Sequence, residues 1–241
     1  MKLKQITFTG IGTDTDLKIL KEIQDEYPLA EWGVLISRNW KDNGNRFFDP
    51  SQLHKLAYQG LNLSCHLCGR VAKDAVNNNW QTLWDMLTGY FGVFQRCQLN
   101  VAPYNDNPDK LDISIPEDLN ELIIQQKSPT ELDLWCSGLP NPRLSVLLDA
   151  SGGQGLDTPV RVLNTHLKVG YAGGINPDNV GEKLYYLMRE PMARNIWIDM
   201  ESGVRTNDVF DTDKVLKVLS ICNEVLNDFK SKGNEAVNPN R

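Results

Sequence analysis

Two glycine turns late in the sequence could together bind a small anion. Gly173-Gly174 follows the strand-like run 169–172, and Ser202-Gly203 follows the strand-like run 196–199. Glycine has no Cβ, so its backbone N–H groups can approach an anion closely. A helix that opens at Pro177 adds the positive end of its dipole. Each of these turns, taken alone, could simply be a tight turn that binds no ligand. Two such turns on adjacent strands favour an anion site.

Three further side chains could transfer protons. Asp149 ends an apolar strand and enters a glycine-rich loop, where a carboxyl group suits a general acid; a turn-capping aspartate is the alternative. His66 and Cys68 share one face of another strand, so either could act as a base, and a buried structural histidine is the alternative for His66. Cys65 and Cys68 form a C-x-x-C pattern, but residues three apart on a strand point to opposite faces. Because no second C-x-x-C completes a zinc site, we expect no metal and no cofactor.

Eight strand-like runs must position these residues, and they alternate with helix-like runs. The predicted strands are residues 3–9, 32–36, 61–68, 93–100, 132–136, 144–149, 169–172 and 196–200. The predicted helices are residues 14–27, 71–87, 116–126, 178–188 and 213–229, with a further one that opens at Pro50 after the capping residue Asp49. This alternation predicts an α/β fold with a single (β/α)8 TIM barrel. The short gap 137–143 indicates that the helix after strand five is short or missing.

An open doubly wound sheet is the structural alternative. Such sheets place their glycine turn after strand one, whereas the glycine turns of this chain follow strands seven and eight, as in barrels. We therefore expect one barrel domain over residues 1–230 and a polar tail over 231–241. A barrel collects its active site at the carboxyl ends of its strands. Four more candidate active-site residues lie at those strand ends: Thr9, Asn100, Asp199 and Glu201. Arg46, in the loop after strand two, could hold a carboxylate or be a solvated surface arginine.

The net charge is −6 and the sequence has no basic run, so nucleic acid and anionic membranes are not expected partners. No apolar run is long enough to span a membrane, and the first residues enter a strand pattern directly, so we expect no signal peptide. The five cysteines are odd in number, which favours free thiols in a reducing cytoplasm. We expect a cytoplasmic monomer or homodimer.

The sequence resembles the phosphoribosylanthranilate isomerase family of the tryptophan pathway. Residues 172–180, AGGINPDNV, are similar to its phosphate turn G-G-L-x-P-E-N-V, and residues 198–204 are similar to its segment V-D-V-S-S-G-V-E. Residues 147–149 with 152–155 are similar to its L-L-D…G-G-T-G run. Weaker similarity extends over residues 98–100, 32–34 and 8–11, and to Arg46 and Pro50. The resemblance implies a (β/α)8 barrel that binds a phosphorylated sugar.

The resemblance also implies an Amadori rearrangement, in which an aldosamine becomes a ketosamine. Asp149 aligns with the acid that opens the ribose ring. Thr9 stands where the family has the cysteine base that removes the C2 proton, and a threonine hydroxyl is too weak to replace it unaided. His66, Cys68 or Glu201 would then be a relocated base. The substrate-binding candidates are Arg46, Asn100, Gly173, Gly174, Asp199, Ser202 and Gly203.

Two other functions fit the same residues. One is a barrel enzyme of another class, a lyase or hydrolase, that uses the carboxylates of Asp149, Asp199 and Glu201. The other is a non-catalytic protein that binds a sugar phosphate without a base. Glu201 and Asn100 replace a serine and a histidine of the family pattern, so an added carboxylate would lie beside the expected phosphate turn.

Overall fold

Eight parallel strands close into one barrel in the computed structural model, which describes residues 2–87, 89–100, 113–127 and 142–236. Each strand pairs with the next in sequence, and the eighth pairs with the first. The strands are β1 Leu3–Thr9, β2 Ala30–Ile36, β3 Leu63–Cys68, β4 Arg96–Asn100, β5 Glu121–Gln126, β6 Leu144–Asp149, β7 Lys168–Ala172 and β8 Ile196–Met200. The prediction of a single (β/α)8 TIM barrel is confirmed, and the open doubly wound sheet is excluded.

Helices and short connecting elements surround the barrel. The α-helices of the described residues are α1 Leu17–Glu26, α2 Arg70–Val76, α3 Gln81–Leu87, α4 Val180–Arg189 and α5 Thr212–Ala236. Short 3₁₀ segments occupy Trp40–Arg46, Pro50–Lys55, Phe91–Val93 and Ser202–Val204, and a small hairpin joins β9 Arg205–Thr206 to β10 Val209–Phe210. α5 extends past residue 229, the predicted end of the last helix, to Ala236. The division of the chain into one domain and a tail stays a prediction.

Two predicted helices are wrong in the structure. The predicted helix 71–87 is two helices, α2 and α3, because Asn78 between them adopts a left-handed φ of 61°, which a continuing helix cannot contain. The predicted helix 116–126 contains β5 instead. Its apolar centre, Leu122 to Ile124, is buried between β4 and β6, as is typical of a parallel strand.

The connection from β5 to β6 is only partly described. The predicted fifth strand, 132–136, lies outside the described residues. Residues 127, 142 and 143, which are the described part of this connection, contain no helix. Since β5 ends at Gln126, the gap 137–143 from which the short or missing helix was predicted is only part of this connection.

A chain of buried charges fills the lower half of the barrel interior. Arg96 on β4 donates from Nη1 to Glu31 on β2 at 2.7 Å and from Nε to Glu121 on β5 at 3.0 Å. Lys168 on β7 donates to the second oxygen of Glu121 at 2.9 Å. The Arg96 guanidinium lies 4.3 Å from the centre of the Trp197 ring. These pairs neutralise one another beneath the site and leave the upper ends of the strands open for function.

No helix in the described ranges is both long and apolar enough to cross a membrane.

Candidate active site

A cavity of about 590 Å³ opens at the carboxyl ends of the barrel strands. Every predicted site residue except Gly203 lines it. The barrel geometry explains this gathering, since residues from all parts of the chain end at the same rim. Sequence reasoning missed six polar residues that line the cavity, and their position at or just after a strand end was the only signal for them: Gln98, Gln125, Gln126, Lys127, Ser151 and Gln154.

Thr9 and Asp199 meet where the first and last strands close the barrel. Thr9 Oγ1 donates a hydrogen bond to Asp199 Oδ1 at 2.8 Å, and both residues are buried. A Cβ at Gly33 would lie 2.5 Å from Thr9 Oγ1, so the glycine leaves the space that Thr9 occupies. Burial raises the pKa of Asp199 to about 7, which the Thr9 hydrogen bond and the charge of Arg96 only partly counter. A carboxylate of this kind is poised to take a proton near neutral pH.

Two of the predicted bases are poorly matched to neutral pH. His66 is buried, and its Nε2 lies 3.0 Å from the hydroxyl of Ser64. Burial, and then the charge of Arg96, lowers the pKa of His66 to about 3. Burial raises the pKa of the Cys68 thiol to about 12, so this thiol stays protonated. His66 is therefore a weak base, and Cys68 is not a thiolate at neutral pH.

Glu201 and Arg46 form an ion pair on the side of the cavity nearest β1 and β2. Arg46 Nη1 lies 3.1 Å from Glu201 Oε1, and Arg46 Nε donates to Asp208 at 2.6 Å. Burial raises the pKa of Glu201, although Arg46 and Arg205 act against it. The Glu201 side chain packs beside Gly10, so the added carboxylate is turned toward the β1 and β2 loops and is held by a cation.

Asp149 is held rigidly at the end of β6. Its carboxylate accepts hydrogen bonds from the backbone and hydroxyl of Ser151 at 3.1 and 2.7 Å, from the Gly153 N–H at 2.6 Å and from Gln125 at 2.8 Å. The aspartate therefore caps the turn that follows it and lines the cavity at the same time. Gln125 fixes it from the neighbouring strand.

The two glycine turns lie against the loop that follows β6. Gly173 and Gly174 have φ values of 105° and 63°, in the left-handed region that favours glycine. A Cβ at Gly174 would lie 2.4 Å from the backbone nitrogen of Asp157, and a Cβ at Gly155 would lie 2.2 Å from the hydroxyl of Ser202. Gly173, Gly174 and Ser202 all line the cavity at these turns.

Gly203 has a different position from the other predicted residues. A Cβ there would lie 1.9 Å from the carbonyl oxygen of Ile175. Gly203 therefore allows the turn after β8 to pack on the turn after β7, and it lies behind the cavity wall rather than lining the cavity.

Cys65 and Cys68 point to opposite sides of β3, as expected for residues three apart on a strand. Cys65 packs in the core between barrel and helices, while Cys68 lines the cavity. Cys65, Cys68, Cys97 and Cys222 are free thiols, and Cys136 lies outside the described residues. Over the described ranges, no group of three or more His, Cys, Asp or Glu side chains is arranged to hold a metal ion.

Residues 121–220 match the family model of N-(5′-phosphoribosyl)anthranilate (PRA) isomerase. Over this segment the chain is similar to the phosphoribosylanthranilate isomerase family. The matched segment runs from β5 into α5 and contains Asp149, both glycine turns, Asp199 and Glu201. A comparison with curated protein sequences found no match.

Several solved phosphoribosylanthranilate isomerases have a similar fold. The enzyme from Pyrococcus furiosus is 16% identical with a TM-score of 0.55, and the enzyme from Thermococcus kodakaraensis is 14% identical with a TM-score of 0.52; each alignment covers 91% of this chain and 98% of that chain. A third structure, a complex with reduced 1-(o-carboxyphenylamino)-1-deoxyribulose 5-phosphate, is 13% identical with a TM-score of 0.52 over 92% of this chain and 100% of that chain. At these identities the likeness concerns the fold alone.

Proposed function

We propose that this phosphoribosylanthranilate isomerase-like chain is an Amadori-type isomerase of a phosphorylated sugar amine, with Asp199 as its base. The observation that carries this proposal is the buried Thr9–Asp199 hydrogen bond at the cavity floor, with the pKa of Asp199 raised to about 7. This arrangement supplies a proton acceptor where Thr9 itself cannot act as one. Asp199 thus takes the role that the sequence alone assigned to His66, Cys68 or Glu201.

Asp149 is the acid in this proposal. It would donate a proton to the ring oxygen of the sugar as the C1–O bond breaks, which leaves an iminium between C1 and the amine nitrogen. Asp199 would then remove the C2 proton, and the C2–H electron pair forms an enolamine. Asp199 then returns its proton to C1 and the enol proton passes to Asp149, which gives the ketosamine and restores both carboxyl groups without an external oxidant or reductant. Asp149 and Asp199 line the same cavity, as the two steps require.

Thr9 is a positioning residue in this scheme. Its hydroxyl hydrogen bond selects one rotamer of Asp199, and it stabilises the ionised form that accepts the proton. A cysteine base would occupy this strand end in the family pattern, so the exchange of cysteine for threonine is accompanied by transfer of the proton acceptor to the adjacent strand, β8.

The phosphate would lie between the two glycine turns. Backbone N–H groups of the cavity-lining turns at Gly173, Gly174 and Ser202 would provide donors without a net positive charge. Glu201 is held by Arg46 on the far side of β8, so its carboxylate does not stand against a phosphate there. One similar structure holds a phosphorylated deoxyribulose amine, which supports a ligand of this chemical class.

The proposal is tested by incubating the protein with N-aryl 5-phosphoribosylamines in D₂O. We expect the 1-amino-1-deoxyribulose 5-phosphate product, with deuterium entering at C1. Asp199→Asn and Asp149→Asn should each remove this activity, while the exposed Asp178→Asn is the matched control. Absence of product and of deuterium exchange with every amine would overturn the proposal, and binding without turnover would favour the non-catalytic alternative.

Rescue of a tryptophan auxotroph that lacks its own isomerase asks a separate question, namely whether anthranilate is the amine. Location in the cytoplasm and assembly as a monomer or homodimer remain predictions from the sequence.

A further inference from the structure

Three glutamines on β4 and β5 line the cavity, and one of them can be reached from it. Gln98 and Gln126 are each only 3% exposed, whereas Gln125 is half-buried. Gln125 also contacts Asp149, since its Nε2 lies 2.8 Å from Asp149 Oδ2. A group bound in the cavity can therefore touch a glutamine that stands directly beside the proposed acid.

Asp149 determines which way the Gln125 amide faces. An ionised carboxylate only accepts hydrogen bonds, so the amide must turn its NH2 group toward Asp149. The two ends of a planar amide diverge, and the amide oxygen, Oε1, is therefore directed away from Asp149. Gln125 thus offers a neutral acceptor next to the carboxyl group.

The same orientation holds when Asp149 carries a proton. Oδ2 is held by two N–H donors that cannot accept, from Gly153 at 2.6 Å and from Gln125 at 2.8 Å. Oδ1 is held by Ser151, whose hydroxyl at 2.7 Å can turn round and accept instead. The proton to be donated therefore belongs on Oδ1, and Gln125 keeps its contact with Oδ2.

The proposed reaction brings the amine nitrogen close to this acceptor. Asp149 protonates the ring oxygen, so that oxygen must lie within hydrogen-bond reach of the carboxyl group. The exocyclic nitrogen is bonded to C1, which also carries the ring oxygen, so the two atoms are only two bonds apart. The C2 and C3 hydroxyl groups are one bond further away. The N–H group is therefore the sugar-bound donor nearest to Gln125.

We propose that Gln125 Oε1 accepts a hydrogen bond from the exocyclic N–H group, and that the protein therefore selects sugar phosphates joined to primary amines. This inference rests on the proposed function, because it adds a contact at the same reacting carbon. When the C1–O bond breaks, its electron pair stays on the ring oxygen, which takes the Asp149 proton. The nitrogen lone pair then forms the C1–N double bond.

This hydrogen bond strengthens during ring opening. The nitrogen becomes positively charged and keeps its hydrogen, and charge-assisted hydrogen bonds are stronger than neutral ones. An interaction that is stronger in the transition state than in the bound substrate accelerates the step. A glycosylamine made from a secondary amine has no hydrogen at this nitrogen and loses the contact.

The test compares two substrates that differ at this nitrogen. The probes are the 5-phosphoribosylamines of aniline and of N-methylaniline, which can both open to an iminium and can both lose the C2 proton. We expect kcat/KM to be about tenfold or more higher for the aniline derivative, with most of the difference in kcat. Equal values, or a higher value for the N-methylaniline derivative, would overturn the inference.

Gln125→Met shows whether the glutamine causes this preference. Methionine has a similar length without the amide acceptor, so the ratio of the two kcat/KM values should fall to about one. If Gln125 acted only by holding Asp149, both substrates would be slowed equally and the ratio would not change, which contradicts the proposal. Partial loss of folded protein does not affect a ratio measured on one preparation.

The matched control is Gln81→Met on the protein surface. Gln81 also donates from Nε2 to an aspartate, Asp85, at 2.7 Å, but this pair is exposed. The control should keep the ratio of the unaltered protein. A ratio that falls equally in Gln81→Met would show that the effect is not specific to the cavity.

Turnover distinguishes failure of this inference from failure of the proposed function. If the aniline derivative isomerises and the ratio is unchanged in Gln125→Met, the isomerase stands and the inference falls. If neither derivative reacts and no deuterium enters from D₂O, both fall.

Discussion

Thr9 on the first strand donates its hydroxyl hydrogen to Asp199 on the last strand, with 2.8 Å between the two oxygens. The residues are 190 positions apart, and only closure of the barrel through the β1–β8 pair brings them together. Burial raises the pKa of this carboxyl to about 7, and the threonine limits that rise. One polar contact thus fixes both the orientation and the proton affinity of the proposed base.

The rate of isomerisation should depend on ionised Asp199. Since the base acts only when deprotonated, kcat should rise with pH through about 7 and level off above it. Thr9→Val removes a hydrogen bond that lowers the pKa, so the rising limb should move to higher pH, while Thr9→Ser should keep it near the original position. A pH profile of kcat for the three proteins measures this. If the rising limb of the profile does not move in Thr9→Val, the Thr9 hydrogen bond does not control the pKa of the base.

Asp199→Asn should lower kcat by about 10²–10⁴-fold, yet it should make the protein more stable at high pH. The folded-state pKa of about 7 exceeds the ordinary value of 3.8, so the folded state binds this proton more tightly than the unfolded chain. The contribution of Asp199 to stability is therefore fully present below pH 4, falls as the pH rises to about 7, and then stays constant.

The asparagine variant avoids that loss. A tenfold change in proton affinity is worth about 1.4 kcal/mol, so the variant should gain up to ~4 kcal/mol at pH 8 and little at pH 4. Urea unfolding at the two pH values measures the difference, with Asp178→Asn as an exposed control. An equal change at both pH values would show that Asp199 is not destabilised by burial.

Among the charges in the barrel interior, we expect loss of the Arg96 charge to lower the free energy of unfolding the most. Arg96→Met leaves the buried carboxylates of Glu31 and Glu121 without their shared cation, which should cost about 3–5 kcal/mol in the free energy of unfolding. The matched control is Arg70→Met at a solvated helix position, where the change should stay within ~0.5 kcal/mol. Similar effects of the two substitutions in denaturant titrations would contradict a structural role for the buried pairs.

Arg96→Met should also alter the base. The Arg96 charge lowers the pKa of Asp199, so in variant protein that remains folded the rising limb of the pH profile should move upward. A variant that is less stable but keeps the same limb would show that Arg96 acts on the fold alone.

Gly174 should be more sensitive than Gly153 to the addition of one methyl group. Both have positive φ, at 63° and 84°, so alanine strains the backbone at either site by about 1 kcal/mol. At Gly174 the new Cβ would also lie 2.4 Å from the backbone nitrogen of Asp157, whereas at Gly153 it would meet nothing within 4 Å. We expect Gly174→Ala to cost about 1–3 kcal/mol more than Gly153→Ala.

Phosphate affinity gives a second measurement of the same pair. Titration with inorganic phosphate should show weaker binding for Gly174→Ala, because movement of the 156–157 backbone disturbs the turn that offers its N–H groups. Retention of full phosphate affinity in Gly174→Ala would place the anion elsewhere.

Much of the fold could be predicted from local patterns. The bounds of β1, β6 and β8 agree with the prediction, because β6 and β8 are almost continuous buried runs and β1 is buried from Ile6 to Thr9. β5 was placed wrongly, since Glu121–Gln126 has a local pattern that suits either a helix or a strand. Its pairing with β4 and β6 decides between them, and such long-range contacts leave no local signal.

By itself, the sequence determined that the chain is a barrel with two late glycine turns and with carboxylates at its strand ends, because periodicity and glycine geometry act over a few residues. Only the tertiary structure decided which group is the proposed base and that Arg46 is already paired with Glu201. A pKa and a hydrogen-bond partner depend on burial and on neighbours from distant strands. Thr9 and Asp199 acquire their relationship only when the eighth strand meets the first.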